Sequence, residues 1–219
     1  MRDTLSRAQA KAFYDRIGRR QDTQAFYERP AQEALIAHSA FAKAHRVFEL
    51  GCGTGRFAAR LLRDVCPPRA DYTGVDLSPT MVGLAREALA PFAHRAEVVC
   101  TDGRLRFDRP AATYDRVVAA YVLDLLSDAD IDTFLDEAHR LLAPGGRLCV
   151  AGLTWGRGLS RLGAILWDTV HAWAPTWVGG CRPIRVQRRL APARWHVHHV
   201  ETVTAFGIPS EVLIADAIA

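Results

Sequence analysis

Apolar residues recur along this chain with two periods, and the alternation between those periods predicts its elements. Over residues 4–42 the spacing is helical, in two blocks broken near Gly18: Leu5, Ala8, Ala12 and Phe13 carry the first, and Phe26, Tyr27, Leu35 and Ile36 the second. From Arg46 short apolar runs alternate with helical stretches. The runs at 46–50, 72–76, 97–100, 114–120 and 148–151 predict buried strands. Between them, Phe57, Leu61, Leu62 and Val65, then Met81, Leu84, Ala85, Ala88 and Leu89, then Ile131, Phe134, Leu135, Ala138, Leu141 and Leu142 fall at helical spacing. The punctuation agrees. Cys66-Pro67-Pro68 cannot continue a helix, and Ser78-Pro79 offers a capping hydroxyl followed by proline at the first helical position. Ser127 or Asp128 caps the next helix, and Pro144-Gly145-Gly146 stops it. Residues 157–174 read as a further helix through Leu159, Leu162, Ile165, Leu166, Val170 and Trp173. A turn-rich piece over 175–183 precedes an alternating strand at 195–203, a turn at 206–210 and a last apolar strand at 211–215.

Strand–helix repetition builds a parallel sheet with helices on both faces, because parallel neighbours need crossovers. Ligands in such sheets bind beyond the carboxyl ends of the strands. Gly51, Asp76, Asp102 and Tyr121 all fall at those ends. The stretch Val47-Phe48-Glu49-Leu50-Gly51-Cys52-Gly53-Thr54-Gly55 is strand, glycine turn and helix start in one piece. Glycine there permits both the tight turn and the approach of a ligand to backbone N–H groups. Asp76 follows about 20 residues later, where nucleoside-binding sheets grip a ribose diol.

At these residues the chain resembles a class I S-adenosylmethionine (SAM) dependent methyltransferase. Glu49-Leu50-Gly51-Cys52-Gly53-Thr54-Gly55 is similar to that family's first motif and Gly74-Val75-Asp76-Leu77-Ser78 to its second. Thr101-Asp102-Gly103 and Leu142-Ala143-Pro144-Gly145-Gly146-Arg147-Leu148 match two further landmarks, so that the likeness runs over residues 46–152. It implies an α/β, Rossmann-like, seven-stranded, mostly parallel sheet with helices on both faces, N-terminal helices and a C-terminal antiparallel hairpin. The chain then divides into an N-terminal helical lid (1–44), a SAM-binding core (45–152) and substrate-pocket helices with the final hairpin (153–219), all within one domain.

The resemblance also assigns roles. SAM is the implied cofactor and S-adenosylhomocysteine its product. Gly51, Gly53 and Gly55 would let the backbone meet the methionine and ribose portions, beside Cys52, Leu77, Met81 and Ala120. Asp76 would accept the ribose hydroxyls or else cap a helix; Asp102, with Gly103, would accept from the adenine amino group or else form a turn. Glu49 either orients the cofactor or bonds nearby backbone. Tyr14, Asp15, Gln24 and Tyr27 are candidates to close the lid or to pack on the sheet. Tyr121 and Asp124 follow strand four, where the methyl acceptor arrives, and either could take its proton. Trp155, His171, Trp173, Trp177, Cys181 and Arg182 lie in the segment that builds the acceptor pocket, although tryptophans serve cores as well. Arg182 could grip a carboxylate or phosphate.

Composition narrows the partners. At 219 residues and 49% hydrophobic content one core is the default. The net charge of +4 comes from arginines spread along the chain, with only Lys11 and Lys43 as lysines, so nucleic acid is not the expected partner. A small molecule is. No apolar run is long enough for a membrane span, and the first residues lack the core of a secretory signal. The five cysteines are an odd number without a C-x-x-C pair, which fits reduced thiols and a cytoplasmic protein. Cys100 and Cys149, inside apolar runs, are expected to be buried. His196 and His198 share a strand face without a third ligand, so no metal is expected. Two other readings share these motifs: an NAD(P)-dependent oxidoreductase, which would carry G-x-G-x-x-G, and a SAM-binding subunit without turnover.

Overall fold

The computed structural model describes residues 4–156, 158, 160–174 and 179–218. Among these residues seven strands form one sheet: β1 (Arg46–Leu50), β2 (Asp71–Asp76), β3 (Ala96–Cys100), β4 (Tyr114–Ala120), β5 (Leu142–Leu153), β6 (Trp195–Ala205) and β7 (Ile208–Ala217). Their spatial order is β3-β2-β1-β4-β5-β7-β6. The first five pair in parallel, and β7 inserts antiparallel between β5 and β6. The helices are α1 (Arg7–Ile17), α2 (Ala25–Ser39), α3 (Arg56–Arg60), α4 (Pro79–Ala88), α5 (Asp128–Leu141) and α6 (Ser160–Trp173). The Rossmann-like architecture and its antiparallel final hairpin are those the sequence predicts.

Central strands are apolar throughout because both of their faces are covered. Val47 and Val118 face the layer holding α2, α3 and α4, whereas Phe48 and Val117 face the layer holding α5. Helix starts follow local chemistry. Ser78 Oγ accepts from the Met81 N–H with Pro79 in the first turn, and Ser127, rather than Asp128, caps α5. The helical stretch after β1 widens in its last turn, where the Cys66 N–H donates to the Leu61 carbonyl, before Pro67-Pro68 ends it. Between α1 and α2 the chain makes a tight 3₁₀ segment over Gly18–Gln24.

Three expectations change in detail. Cys100 is exposed, because β3 is an edge strand and solvent lies beyond its end; Cys52, Cys66, Cys149 and Cys181 are buried and free. Pro144-Gly145-Gly146 is not a free turn but an irregularity inside β5, which pairs Leu142 with Tyr114 and resumes at Arg147 opposite Arg116. The last strand is longer than its apolar run, spanning Ile208–Ala217. In β6 a bulge between Val197 and His199 shifts the register. Trp195 and Val197 therefore pack with the α5 layer, while Val203 and Ala205 pack with the α2 layer. No helix among the described residues is long and apolar enough to cross a membrane.

The tightest approach between the glycine turn and the helical layer is at Gly55. Its φ is +74°, and a Cβ there would stand 2.8 Å from the Ala85 Cα. Neither the backbone of α4 nor the turn can yield cheaply. Gly55→Ala is expected to destabilise the protein by about 1–3 kcal/mol, measured by urea denaturation.

Candidate active site

The strand order reverses between β1 and β4, so the connections leaving them part in opposite directions and open a crevice. A cavity of ≈ 780 Å³ fills it. Gly51, Cys52 and Gly53 form one wall, Asp76, Leu77 and Met81 another, and Ala120, Tyr121 and Val122 a third. A Cβ on Gly51 would meet the Val122 side chain at 2.5 Å, so the first and third walls touch at their base. Gly53 differs: its φ is +53° and nothing lies within 4 Å of where its Cβ would be. That backbone is bare toward the cavity.

Asp76 ties two walls together. Its Oδ2 accepts from the Gly53 N–H at 2.9 Å and its Oδ1 from the Ser78 N–H at 2.9 Å. Burial raises its pKa, against the lowering effect of those N–H bonds. Glu49 lies at the cavity floor, almost fully buried, and accepts a 2.6 Å hydrogen bond from the Tyr72 hydroxyl. Burial pushes its carboxyl up to about 7. Asp102 stands apart. Its exposed carboxylate accepts from the Arg104 N–H at 2.9 Å and pairs with the Arg104 guanidinium at 3.3 Å, closing a turn, while Gly103, Arg104 and Leu105 line the wall. An open glycine beside a buried carboxylate and the apolar Leu77, Met81 and Leu105 fit a nucleoside-bearing ligand.

Residues 47–146 match the family profile described as "Methyltransferase domain". The chain is 34% identical over 119 residues to a carboxy-S-adenosyl-L-methionine synthase of Chromohalobacter salexigens, covering 53% of this chain and 43% of that protein. The chain spans less than half the length of the curated relatives it matches. Among solved structures, the [4+2]-cyclase SpnF superposes with a TM-score of 0.77 at 17% identity, over 99% of this chain and 98% of that one. The N-methyltransferase NodS of Bradyrhizobium japonicum, solved with S-adenosylhomocysteine, superposes with a TM-score of 0.64 at 21% identity over 87% of each chain. Residues 47–146 are thus similar to a methyltransferase domain, and the solved structures share the fold of this chain.

Around this crevice the N-terminal segment is drawn over the cavity by polar contacts. Tyr14 reaches the cavity and donates to the Gly179 carbonyl at 3.2 Å; burial raises its pKa well above the ordinary value. Asp15 does not line the cavity. It accepts from the Ser78 hydroxyl at 2.5 Å and from Lys11 at 2.6 Å, and the Lys11 contact leads in holding its carboxyl down to about 2. Asp22 accepts from the Thr54 hydroxyl at 2.8 Å, directly on the glycine turn. Tyr27, expected at the lid, sits behind the cavity: it is buried, its hydroxyl donates to Gln24 Oε1 at 3.0 Å, and its ring packs edge-on against Tyr121 and Trp167. Gly55 likewise packs on α4 instead of facing the cavity.

Tyr121 lines the cavity at φ +56°, unusual for a residue with a Cβ, and shares a 2.8 Å hydrogen bond with the Ser210 hydroxyl. Asp124 is fully buried beneath the wall. Its Oδ2 accepts from the Leu153 N–H at 3.1 Å, and burial pushes its carboxyl up to about 6. The structure separates the expected acceptor residues. Trp155 borders a shallow second hollow with Arg161, Arg185 and Arg188. His171 is buried and faces the Gly180 carbonyl at 3.1 Å. Trp173 is exposed and Cys181 buried. Trp177 lies outside the described residues. Arg182 is a structural cation: buried, it holds the Leu126 carbonyl at 2.8 Å and Asp128 at 2.8 Å.

His196 and His198 are exposed on β6, and the bulge turns a different histidine toward α2. His199 stacks on His38 with ring centroids 3.6 Å apart, and Glu201 Oε1 is 3.1 Å from His199 and 3.8 Å from His38. These three groups are close enough to share an ion, and none of the three lines the cavity. Glu28 is one of the site residues that sequence reasoning missed. It lines the cavity from α2, and its acid-beside-aromatic position after Tyr27 was the available signal. Because Arg182 supports Leu126, which does line the cavity, Arg182→Met is expected to lower stability by about 1–3 kcal/mol through the unpaired buried carbonyl. SAM affinity measured by calorimetry is expected to stay within twofold or so, since the guanidinium does not reach the donor walls.

Proposed function

We propose that this protein transfers a methyl group from SAM to an oxygen, nitrogen, sulfur or carbon nucleophile of a small molecule. The observation that carries the reading is the pairing, at the β1/β4 crevice, of an open Gly53 backbone with the Asp76 carboxylate in one enclosed cavity. Asp76 would accept the ribose hydroxyls on the carboxylate lone pairs that its two N–H partners leave free, and Leu77, Met81 and Leu105 would sandwich the adenine. Glu49 and Asp76 place negative potential on the floor, which suits a cationic sulfonium. When bound, the donor supplies an electrophilic methyl carbon. The chain's task is then positioning, worth up to about 7–11 kcal/mol for well-oriented reactants. The segment over residues 1–44 serves as the lid of a single domain. Its Asp15–Ser78 and Asp22–Thr54 contacts hold it shut, exclude water and favour a small acceptor over a polymer.

Calorimetry with SAM, S-adenosylhomocysteine and NADH tests the donor, and labelled-methyl transfer to a panel of small oxygen, nitrogen and sulfur nucleophiles tests turnover. Asp76→Ala is expected to weaken SAM binding about tenfold or more, the loss of a hydrogen bond to a charged group worth ~1.5–3 kcal/mol. NADH binding without SAM binding would reverse the reading.

A further inference from the structure

Glu28 lines the cavity from α2 and lies within electrostatic reach of Tyr121. Its Oε1 is shielded from solvent and, among the described residues, has no hydrogen-bond partner. A buried carboxylate oxygen without a donor is costly, and a ligand donor is what the site supplies in place of a protein one. The charges around it are mostly of its own sign. Asp22 from the 3₁₀ segment and Asp124 from beyond β4 add negative charge, and Arg56 at the start of α3 opposes them. Tyr14, Tyr27, Tyr121 and Cys181 stand near enough to feel its charge, all of them neutral at physiological pH because burial raises their pKa values. Two tyrosines on the cavity wall, Tyr14 and Tyr121, with an acid within electrostatic reach of both are surroundings that receive an ammonium. A hydroxyl or thiol acceptor would gain little from them.

Resting on the methyl-transfer reading above, we propose that Glu28 marks the acceptor subsite and that the acceptor is an amine, bound as its ammonium against this carboxylate. The ammonium gives a proton to Glu28. The freed nitrogen lone pair then forms the new N–C bond as the C–S bond of the donor breaks, its electron pair returning to sulfur, and the proton passes from Glu28 to solvent. Nothing else is consumed. Burial, followed by Asp124, pushes the Glu28 carboxyl up to about 8 in the free protein. An ammonium binding at pH 7 must therefore displace a proton from it, and affinity rises with pH until the carboxyl is ionised.

The test uses full-length protein saturated with S-adenosylhomocysteine, titrated with tyramine and with its uncharged counterpart, 4-(2-hydroxyethyl)phenol. Tyramine is expected to bind at least about tenfold more tightly, to release a proton at pH 7 in buffers of different ionisation enthalpy, and to gain about tenfold or more in affinity between pH 6 and 8. Glu28→Gln, which keeps shape and removes charge, is expected to abolish the preference, the proton release and the pH dependence while leaving SAM affinity unchanged; Glu28→Asp restores part of each. Equal binding of the two probes overturns the proposal. So does a loss of SAM affinity in Glu28→Gln matching the loss for tyramine, which would assign the carboxylate to the α-ammonium of the donor. Tight SAM binding with methyl transfer to hydroxyls or thiols and none to amines overturns the amine and leaves the methyltransferase reading standing. Failure to bind SAM at all overturns that reading instead.

Discussion

A single carboxylate holds one side of this cavity in shape. Asp76 stands at the tip of β2 and accepts N–H groups from the glycine turn after β1 and from the start of α4. Two of the three walls are thus fixed to each other through one side chain. The arrangement is possible because parallel strands with right-handed crossovers deliver every strand tip to the same edge of the sheet. It also makes the acid costly, since the Asp76 carboxylate is buried and only backbone donors offset its desolvation.

Acids accumulate around that cavity beyond what folding needs. Glu49, Glu28 and Asp124 are held at about 7, about 8 and about 6, in each case chiefly by burial. Carboxyls raised in the folded state add stability while protonated, fully so below their unfolded values, and that contribution fades as pH rises through 6 to 8. The free protein is therefore expected to be stabilised more by a cation than by a neutral ligand of equal size. On the proposed reading, a sulfonium donor would answer part of that demand, and an ammonium beside Glu28 a further part.

What the sequence made legible was local. Strand tips, glycine turn, the Ser78 cap and the final hairpin each depend on a handful of adjacent residues, so periodicity and turn chemistry reveal them. What it hid depends on partners far away in the chain. Arg182 read as a ligand-gripping cation because nothing near it in sequence shows that Asp128 and the Leu126 carbonyl already occupy it. Tyr27 and Glu28 are neighbours on one helix, and only the packing of Trp167 and Tyr121 decides which of them reaches the cavity. Asp102 had two readings, and in the free protein its carboxylate closes a turn. Simple alternation through 195–203 could not show the bulge, because an inserted residue leaves composition unchanged while exchanging the faces on either side.

That bulge also bears on how the rim of the sheet meets other chains. With β7 inserted beside β5, β6 becomes the outermost strand at the hairpin end, with unpaired amides and carbonyls available to any extended segment. A long flat rim of that kind invites strand-to-strand accretion. Here the interruption between Val197 and His199 breaks the ladder spacing part-way along, and the histidines flanking it carry bulky polar groups outward. An incoming strand would find two short stretches that do not share one register, and the geometry itself discourages it from adding there.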